Sequence, residues 1–281
     1  MGALFMLCGA LTVAFVLGIS VYLVVSGLPA IKEVGLWKFL SGSVWDPANT
    51  SGGAAFGILP LMLTSVYGTL GASIIGVPVG IMTAVYLAKA APPRVSAAVR
   101  RAVELLAGIP SVVYGLVGMI VLVPWIQSSF GLSSGACLAA AILVLAVMIL
   151  PSIINVSATA LQAVPREYEE ASLALGATET ETFFRVSLPA ARSGVAASVV
   201  LGVGRAIGEA MAIIMVSGNV ANMPGLFRSV RFLTTAIASG MSYAAYGSLY
   251  RNSLFSIGLV LFVFIMMINV LLNLFIKKGR S

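Results

Sequence analysis

Residues 164–194 read VPREYEEASLALGATETETFFRVSLPAARSG and contain the signals for two short helices joined by a turn. Pro165 suits a helix start, and the glutamates after it fall in the first turn, where the helix dipole favours negative charge. Gly176 is placed to end this helix, and Thr178 with Glu181 fits a capping box for the next one. With five glutamates against three arginines, the stretch predicts an acidic helix–turn–helix in an otherwise basic chain.

The sequence on both sides of this hairpin is apolar. Of the 281 residues, 60% are hydrophobic and only 9% are charged, with a net charge of +7. A soluble domain carries roughly a quarter charged residues. This composition excludes a water-soluble globule and predicts an all-α polytopic membrane protein. The positive residues of such a protein lie mainly in cytoplasmic loops, where they contact lipid headgroups. We therefore expect membrane lipids, and no nucleic acid, as partners.

Six stretches are apolar and long enough to cross a bilayer, which takes about 20 residues. They lie at 3–25, near 58–87, on either side of a small, polar turn at 127–135, near 194–216 and at 252–276. A signal peptide is the alternative for the first stretch, but it has no basic segment before the apolar run. Six transmembrane helices place both termini on one side of the membrane.

The distribution of lysine and arginine predicts which side that is. Ten of the 16 lie between spans 2 and 3, between spans 4 and 5, or after span 6, and five lie on the opposite side. Cytoplasmic loops carry the excess of positive charge in membrane proteins. We therefore predict a multi-pass membrane protein with both termini in the cytoplasm.

Arg205 and Glu209 stand inside the fifth apolar stretch, where each costs roughly 2.5–3.5 kcal/mol on insertion scales. In a continuous helix they lie one turn apart on one face, so that they partly neutralise each other. One interpretation is a structural ion pair. The other is a functional site, either a stop for an anion, which a guanidinium grips with two hydrogen bonds, or a gate. The residues leave the choice between stop and gate open.

Other patterns give weaker signals. Gly76 with Gly80 and Gly204 with Gly208 have the small-xxx-small spacing that lets helices approach closely, although glycine is also simply common in membrane helices. The sequence GLSSG around Ser133 matches a hydrolase motif, but it lies in a predicted turn of a chain without histidine. The chain has neither metal-site spacing nor a phosphate-binding P-loop. We therefore expect no catalytic site, metal or cofactor in this chain.

The 164–193 hairpin resembles the EAA loop of ABC importer permeases, and we call it the EAA-like hairpin. The family pattern is Glu-Ala-Ala, three residues, Gly, nine residues, Ile, one residue, Leu-Pro. The matching residues here are Glu170, Ala171, Ser172, Gly176, Val186, Leu188 and Pro189, with serine and valine as the two departures. The resemblance implies that Glu170, Ala171, Gly176, Leu188 and Pro189 couple the chain to an ATPase subunit. Without it, an interfacial amphipathic hairpin is the alternative.

Three further stretches resemble the permeases of the phosphate-specific importer, and its PstC-type subunit in particular. They are LAGIPSVVYGLVG (106–118), GRAIGEAMAIIMVSGN (204–219) and GILPLMLTSVYGTL (57–70). Ala210 replaces the usual threonine, and the usual basic N-terminal tail is missing, so we expect an earlier start of the protein. The resemblance implies a type I, MetI-like permease bundle that imports inorganic phosphate by alternating access, with Arg205 and Glu209 in the substrate pathway or gate.

The same resemblance implies the partners: a PstA-like permease, two ATPase subunits that hold the ATP and Mg, and a periplasmic or lipid-anchored phosphate-binding protein. It also implies the bacterial cytoplasmic (inner) membrane as the location, and it divides the chain. Residues 1–56 form the first transmembrane helix and a periplasmic loop, 57–276 the permease core of five transmembrane helices, and 277–281 a basic cytoplasmic tail. The alternatives are a PstA-type subunit, a permease for another oxyanion, or an ion-coupled secondary transporter, which leaves the EAA-like hairpin unexplained.

Overall fold

The computed structural model describes residues 2–47 and 53–278, and nearly all of its regular structure is helical. The α-helices are α1 (Gly2–Val34), α2 (Leu36–Ser41), α3 (Leu59–Val85), α4 (Pro93–Gly108), α5 (Ser111–Val117), α6 (Val123–Phe130), α7 (Leu138–Gln162), α8 (Arg166–Ala174), α9 (Glu179–Thr182), α10 (Leu188–Gly208), α11 (Met211–Val216), α12 (Leu233–Gly240) and α13 (Leu249–Lys278). Three π-helical segments, Tyr86–Ala90, Gly118–Leu122 and Phe183–Ser187, extend α3, α5 and α9 at their C-terminal ends. Two short strands, β1 (Trp45–Asp46) and β2 (Ala55–Phe56), pair antiparallel.

Six helical segments of the described chain are long and apolar enough to cross a membrane, which confirms the predicted number of spans. They are Leu4–Val34, Leu59–Ala90, Ser111–Phe130, Leu138–Gln162, Glu179–Gly208 and Leu249–Val270. The first is exposed over its N-terminal half within this chain, with large apolar side chains such as Phe5 and Ile19 on its surface. Such a surface suits lipid, not water. The predicted tail at 277–281 lies mostly outside the described residues.

The helix α7 is the centre of the bundle. Leu145, Ile149 and Ile153 on this helix are completely buried between α3 and α10. On α3, a Cβ added at Gly76 would come within 2.7 Å of Ile149, and one added at Gly80 within 2.7 Å of Ile153. The two glycines therefore let α3 lie close against α7, as their spacing predicts.

Buried hydroxyl groups join the spans at points where no water can satisfy them. The hydroxyls of Ser157 on α7 and Ser198 on α10 are 2.7 Å apart, and both residues are fully buried. Ser256 on α13 donates to the carbonyl of Gly27 on α1 at 2.6 Å. Hydrogen bonds of this kind between membrane helices are worth about 1 kcal/mol each.

One expectation about helices is wrong. The fifth apolar stretch is not one helix, because α10 ends at Gly208 and α11 begins at Met211. For the second glycine pair the structure shows no close approach within this chain, since a Cβ at Gly204 or Gly208 would meet nothing within 4 Å. The basic segment between spans 2 and 3 contains α4, an amphipathic helix that buries Val103 beneath its charged face.

Candidate functional site

The helix break between α10 and α11 separates the two charged residues of span 5. Glu209 has extended backbone angles, φ −72° and ψ 130°, so the regular turn that would stack it on Arg205 is absent. Among residues 2–47 and 53–278 the structure has one salt bridge, and it involves neither of these two residues. The predicted pairing of Arg205 with Glu209 is therefore wrong. Glycine at position 208 favours this break, because it lowers the stability of a helix interior.

The Glu209 carboxylate has a different partner. Its Oε1 accepts a hydrogen bond from the backbone N–H of Ala212 at 3.0 Å, in the first turn of α11. Backbone N–H groups at a helix start lack partners within the helix, and an anion is favoured there. The carbonyl of Glu209 also accepts a hydrogen bond from Thr234 Oγ1 on α12, at 2.7 Å. Glu209 thus holds the break in place and attaches α12 to it.

Arg205 lies in the last turn of α10 and is half-buried. Its Nη1 reaches Ser152 Oγ on α7 at 3.5 Å, which is a long and weak hydrogen bond. A guanidinium carries five N–H donors. Within the described residues, the Arg205 side chain makes this one hydrogen bond. Most of its N–H groups are therefore left for another acceptor, such as an oxyanion.

The loop at 217–232 adds a second half-buried arginine that the sequence did not single out. Arg231 donates from Nε to the carbonyl of Asn219 at 2.8 Å and to its Oδ1 at 2.9 Å. Asn219 has a φ of +52°, a left-handed conformation that asparagine tolerates better than most residues. Burial lowers the pKa of the Arg231 guanidinium, but arginine remains charged at neutral pH. The dipeptide Gly218-Asn219 was the signal for this turn.

The EAA-like hairpin has the turn that its sequence predicts. The helix α8 ends at Ala174, and Gly176 takes a φ of +86°. Its N–H bonds to the Leu173 carbonyl at 2.9 Å, and the Ala177 N–H bonds to the Ser172 carbonyl at 3.3 Å, which together make a Schellman motif. Thr178 and Glu181 form the predicted capping box, in which each side chain accepts a hydrogen bond from the backbone N–H of the other residue.

The second helix of the hairpin is not a separate element, contrary to the prediction. The short α9 continues through the π-helical segment Phe183–Ser187 into α10, so the second arm of the hairpin and span 5 form one continuous helix. Pro189 gives a physical reason for the π-helical segment, since it has no N–H to bond the carbonyl of Arg185 and the regular α-helical hydrogen bonding is interrupted there. Leu188 is half-buried against Leu161 and Phe183.

The surface of the hairpin is exposed within this chain. Glu170, Ala171, Gly176 and Pro189 are all exposed, and no side chain of α8 is buried. Leu175 is 90% exposed and Tyr168 is 56% exposed. The structure therefore brings Glu170, Ala171 and Gly176 together on one protruding hairpin, with Leu188 in the packing beneath them and Pro189 at the start of α10.

Glu169 connects this hairpin to the membrane spans. It forms a salt bridge with Lys89 and accepts a hydrogen bond from Ser187 Oγ at 2.7 Å. Burial by itself would raise the pKa of the Glu169 carboxyl, but these partners outweigh it, and the pKa lies below its ordinary value. The sequence did not predict this contact. It indicates only that Lys89 is a charge in a loop and that Glu169 is an acid near a helix start, because no local pattern relates residues 80 positions apart.

Metal and hydrolase chemistry find no support in the described residues. In 2–47 and 53–278, no three histidine, cysteine or acidic side chains lie close enough together to hold a metal ion. Ser133 lies in an irregular turn between α6 and α7, and not at the strand-to-helix turn that the hydrolase motif requires. Its carbonyl accepts a hydrogen bond from Gln127 at 3.3 Å, as befits a linker.

Comparison with known proteins places this geometry in context. Residues 76–280 match the family described as binding-protein-dependent transport system inner membrane component. The chain is 39% identical over 271 residues to the probable ABC transporter permease protein YqgH of Bacillus subtilis, covering 94% of this chain and 87% of that protein. It is 34% identical over 283 residues to the phosphate transport system permease protein PstC of Haemophilus influenzae, covering 94% and 88%.

Solved structures share the fold at lower identity. The MetNI methionine ABC transporter in an inward facing conformation aligns with a TM-score of 0.58 and 21% identity, over 79% of this chain and 94% of that chain. A bacterial alginate ABC transporter, solved with an alginate pentasaccharide-bound periplasmic protein, aligns with a TM-score of 0.59 and 16% identity, over 95% and 93%. These likenesses concern the fold and confirm the predicted type I permease bundle.

Proposed function

Since the chain belongs to the family of binding-protein-dependent transport system inner membrane components, we propose that it is the permease subunit of an ATP-driven importer of inorganic phosphate. The observation that carries the proposal is the 34% identity, over 94% of the chain, to a protein named phosphate transport system permease PstC. The chain is a multi-pass membrane protein and works as a transport subunit. ATP and Mg belong to its partners.

Arg205 is the residue that contacts phosphate in this proposal. It is half-buried among membrane helices, it has one weak hydrogen bond to Ser152, and it has no salt bridge within the described chain. A guanidinium binds two oxygens of a phosphate at once, and a partly dry site strengthens that interaction. Arg205 therefore serves as a low-affinity stop on the pathway, and a separate binding protein supplies tight capture.

Glu209 acts as part of a gate in this proposal, and it does not neutralise the charge of Arg205. Its carboxylate holds the first turn of α11, and its carbonyl holds α12, so the break between α10 and α11 depends on it. A break of this kind is where a span bends when the two sides of a transporter open in turn. Alternating access then moves α11 and the 217–232 loop relative to Arg205.

The EAA-like hairpin is the contact with the ATPase subunits. It protrudes, it is exposed at Glu170, Ala171 and Gly176, and its second arm continues as one helix into span 5. The remaining partners are a PstA-like permease, which completes the pathway, membrane lipids, and a periplasmic or lipid-anchored phosphate-binding protein. Residues 57–276 form the permease core, and residues 1–56 contribute the first span and a periplasmic loop.

Orientation follows from charge and from one contact. The hairpin and the segment after span 2 lie on the same side, because Lys89 bonds to Glu169. This side has the excess of lysine and arginine and is therefore cytoplasmic. Both termini lie on it, in a bacterial cytoplasmic membrane.

Substrate competition tests the proposal. The chain is reconstituted in proteoliposomes with its three kinds of protein partner, and uptake of radiolabelled phosphate is measured with unlabelled phosphate, sulfate or molybdate in excess. We expect unlabelled phosphate alone to abolish the signal. Equal competition by sulfate or molybdate would favour a permease for another oxyanion, and uptake without ATP would favour an ion-coupled transporter.

A further inference from the structure

The helix α8 is attached to the rest of the protein in an unusual way. None of its side chains is buried, so apolar contact does not fix its position. The Schellman turn at Gly176 and the hydrogen bond from Thr182 Oγ1 to Ser172 Oγ, at 2.9 Å, join α8 to the other arm of the same hairpin. These contacts shape the hairpin and do not connect α8 to span 2.

Glu169 is the α8 residue that makes the connection. Its Oε1 is bonded both to Lys89 Nζ, at the end of span 2, and to Ser187 Oγ, just before α10 in span 5. We call these three residues the polar link. The side chains of Lys89 and Glu169 are 32% and 21% exposed, and Ser187 is 1% exposed. Partial shielding from water strengthens such charge-assisted hydrogen bonds.

The backbone on both sides of the polar link departs from the regular α-helix. Lys89 lies in the π-helical segment Tyr86–Ala90, and Ser187 ends the π-helical segment Phe183–Ser187. Isolated π-helical turns are rare and are frequent at functional sites. Two spans therefore carry an irregular turn at the point where the same carboxylate bonds to both of them.

We propose that the polar link transmits the movement of α8 to spans 2 and 5, which makes Lys89, Glu169 and Ser187 positioning residues for energy coupling. The proposal rests on the function proposed above, in which an ATPase moves this hairpin. When α8 is displaced, one carboxylate moves the ends of two spans together. Without the link, α8 remains on its partner but moves span 5 only through the backbone of the hairpin, and span 2 only through the packing of α3 against α7 and α10.

Three variants of the reconstituted complex test the polar link. Glu169→Gln keeps the size of the side chain but removes its charge, Lys89→Met removes the partner charge, and Lys89→Glu combined with Glu169→Lys exchanges the two. A serine hydroxyl both donates and accepts hydrogen bonds, so Ser187 can serve either arrangement. Glu104→Gln is the control for loss of a carboxylate charge, because Glu104 is an exposed glutamate of α4 and lies outside the EAA-like hairpin.

The measured quantity is phosphate taken up per ATP hydrolysed, with the amount of ATPase subunit that co-purifies. We expect each single variant to hydrolyse ATP and to retain its ATPase subunits, while uptake per ATP falls about tenfold, as for the loss of one charge-assisted hydrogen bond. The exchange variant should recover most of the coupling, and Glu104→Gln should match the wild type.

Two results would overturn the polar link. Wild-type uptake per ATP in both single variants would show that it carries no movement. An equal loss of uptake, ATP hydrolysis and co-purified ATPase, not repaired by the exchange, would show a purely structural role. Failure of the proposed function gives a different result, because the wild-type complex would then take up no phosphate in the same assay.

Discussion

Substitution of Gly176 by alanine separates the shape of the EAA-like hairpin from its surface chemistry. Gly176 has a φ of +86°, and a Cβ added there would meet nothing within 4 Å of this chain. The methyl group of alanine therefore causes no clash, and its effect comes from the backbone alone. A left-handed conformation costs an L-residue about 1–2 kcal/mol, and asparagine adopts it more readily than alanine.

This cost sets the expected magnitude. The Schellman turn depends on the Gly176 conformation, since the hydrogen bonds to Leu173 and Ser172 form only when the chain reverses there. A penalty of about 1–2 kcal/mol lowers the ratio of native to non-native turn by a factor of roughly 5–30. If the turn must be native for the ATPase to dock, its apparent affinity falls by up to the same factor, and the full factor is reached when the native turn is the minor form.

The assay compares Gly176→Ala with Gly176→Asn as the matched variant. Titration of the ATPase subunit against the reconstituted permease gives an apparent affinity for each, and phosphate uptake is measured in parallel. We expect alanine to weaken docking by up to the factor above and asparagine to weaken it less. If asparagine, the larger residue, is as damaging as alanine or worse, then the partner packs directly on Gly176, and backbone conformation is not what limits docking.

Other perturbations have equally definite outcomes. Arg205→Gln should abolish phosphate uptake while the complex still assembles, and Arg205→Lys should restore it only in part, because an ammonium keeps the charge and loses the planar fork; normal uptake by either variant would exclude Arg205 as an anion contact. Glu209→Gln replaces a charged acceptor by a neutral one at the Ala212 N–H, so thermal unfolding should show a loss of about 1 kcal/mol, and ATP hydrolysis without binding protein should change; unchanged values in both would remove the gate role. A cysteine at Ser43 should react with an impermeant thiol reagent outside intact cells and one at Thr180 should not, and the reverse pattern would invert the topology. The pKa of Glu169 is held below its ordinary value, so its carboxylate stays charged at neutral pH and the link weakens only as the pH falls from the ordinary pKa toward the lowered one. Coupling should therefore show no titration of Glu169 from about pH 5.5 to about pH 8.

The sequence predicts well what depends on neighbouring residues. The number of spans, the end of α8 at the Gly176 turn and the capping box at Thr178 all follow from composition or from spacings of a few residues, and the structure contains each of them. The close approach of α3 to α7 at Gly76 also follows from a local pattern. In each case the signal lies within one element or its immediate flank.

Features that depend on distant residues are where sequence reasoning fails. In the apolar stretch around Arg205, Gly208 is only a weak sign that α10 ends there, because the same residues would also fit one long helix. The break is held by Thr234, which is 25 residues away from Glu209 in the sequence. The link between Lys89 and Glu169 spans 80 residues. Without the tertiary structure, these residues are simply charges in or near membrane spans.

ATP-driven phosphate import is tested most directly by the accumulation of radiolabelled phosphate in proteoliposomes that contain the complete complex and its binding protein. ATP is supplied on the side of the hairpin, or a non-hydrolysable analogue is supplied in its place. We predict accumulation against the concentration gradient with ATP, none with the analogue, and none with Arg205→Gln despite an assembled complex. Equal accumulation with ATP and with the analogue, or with sulfate in place of phosphate, would contradict the proposed function.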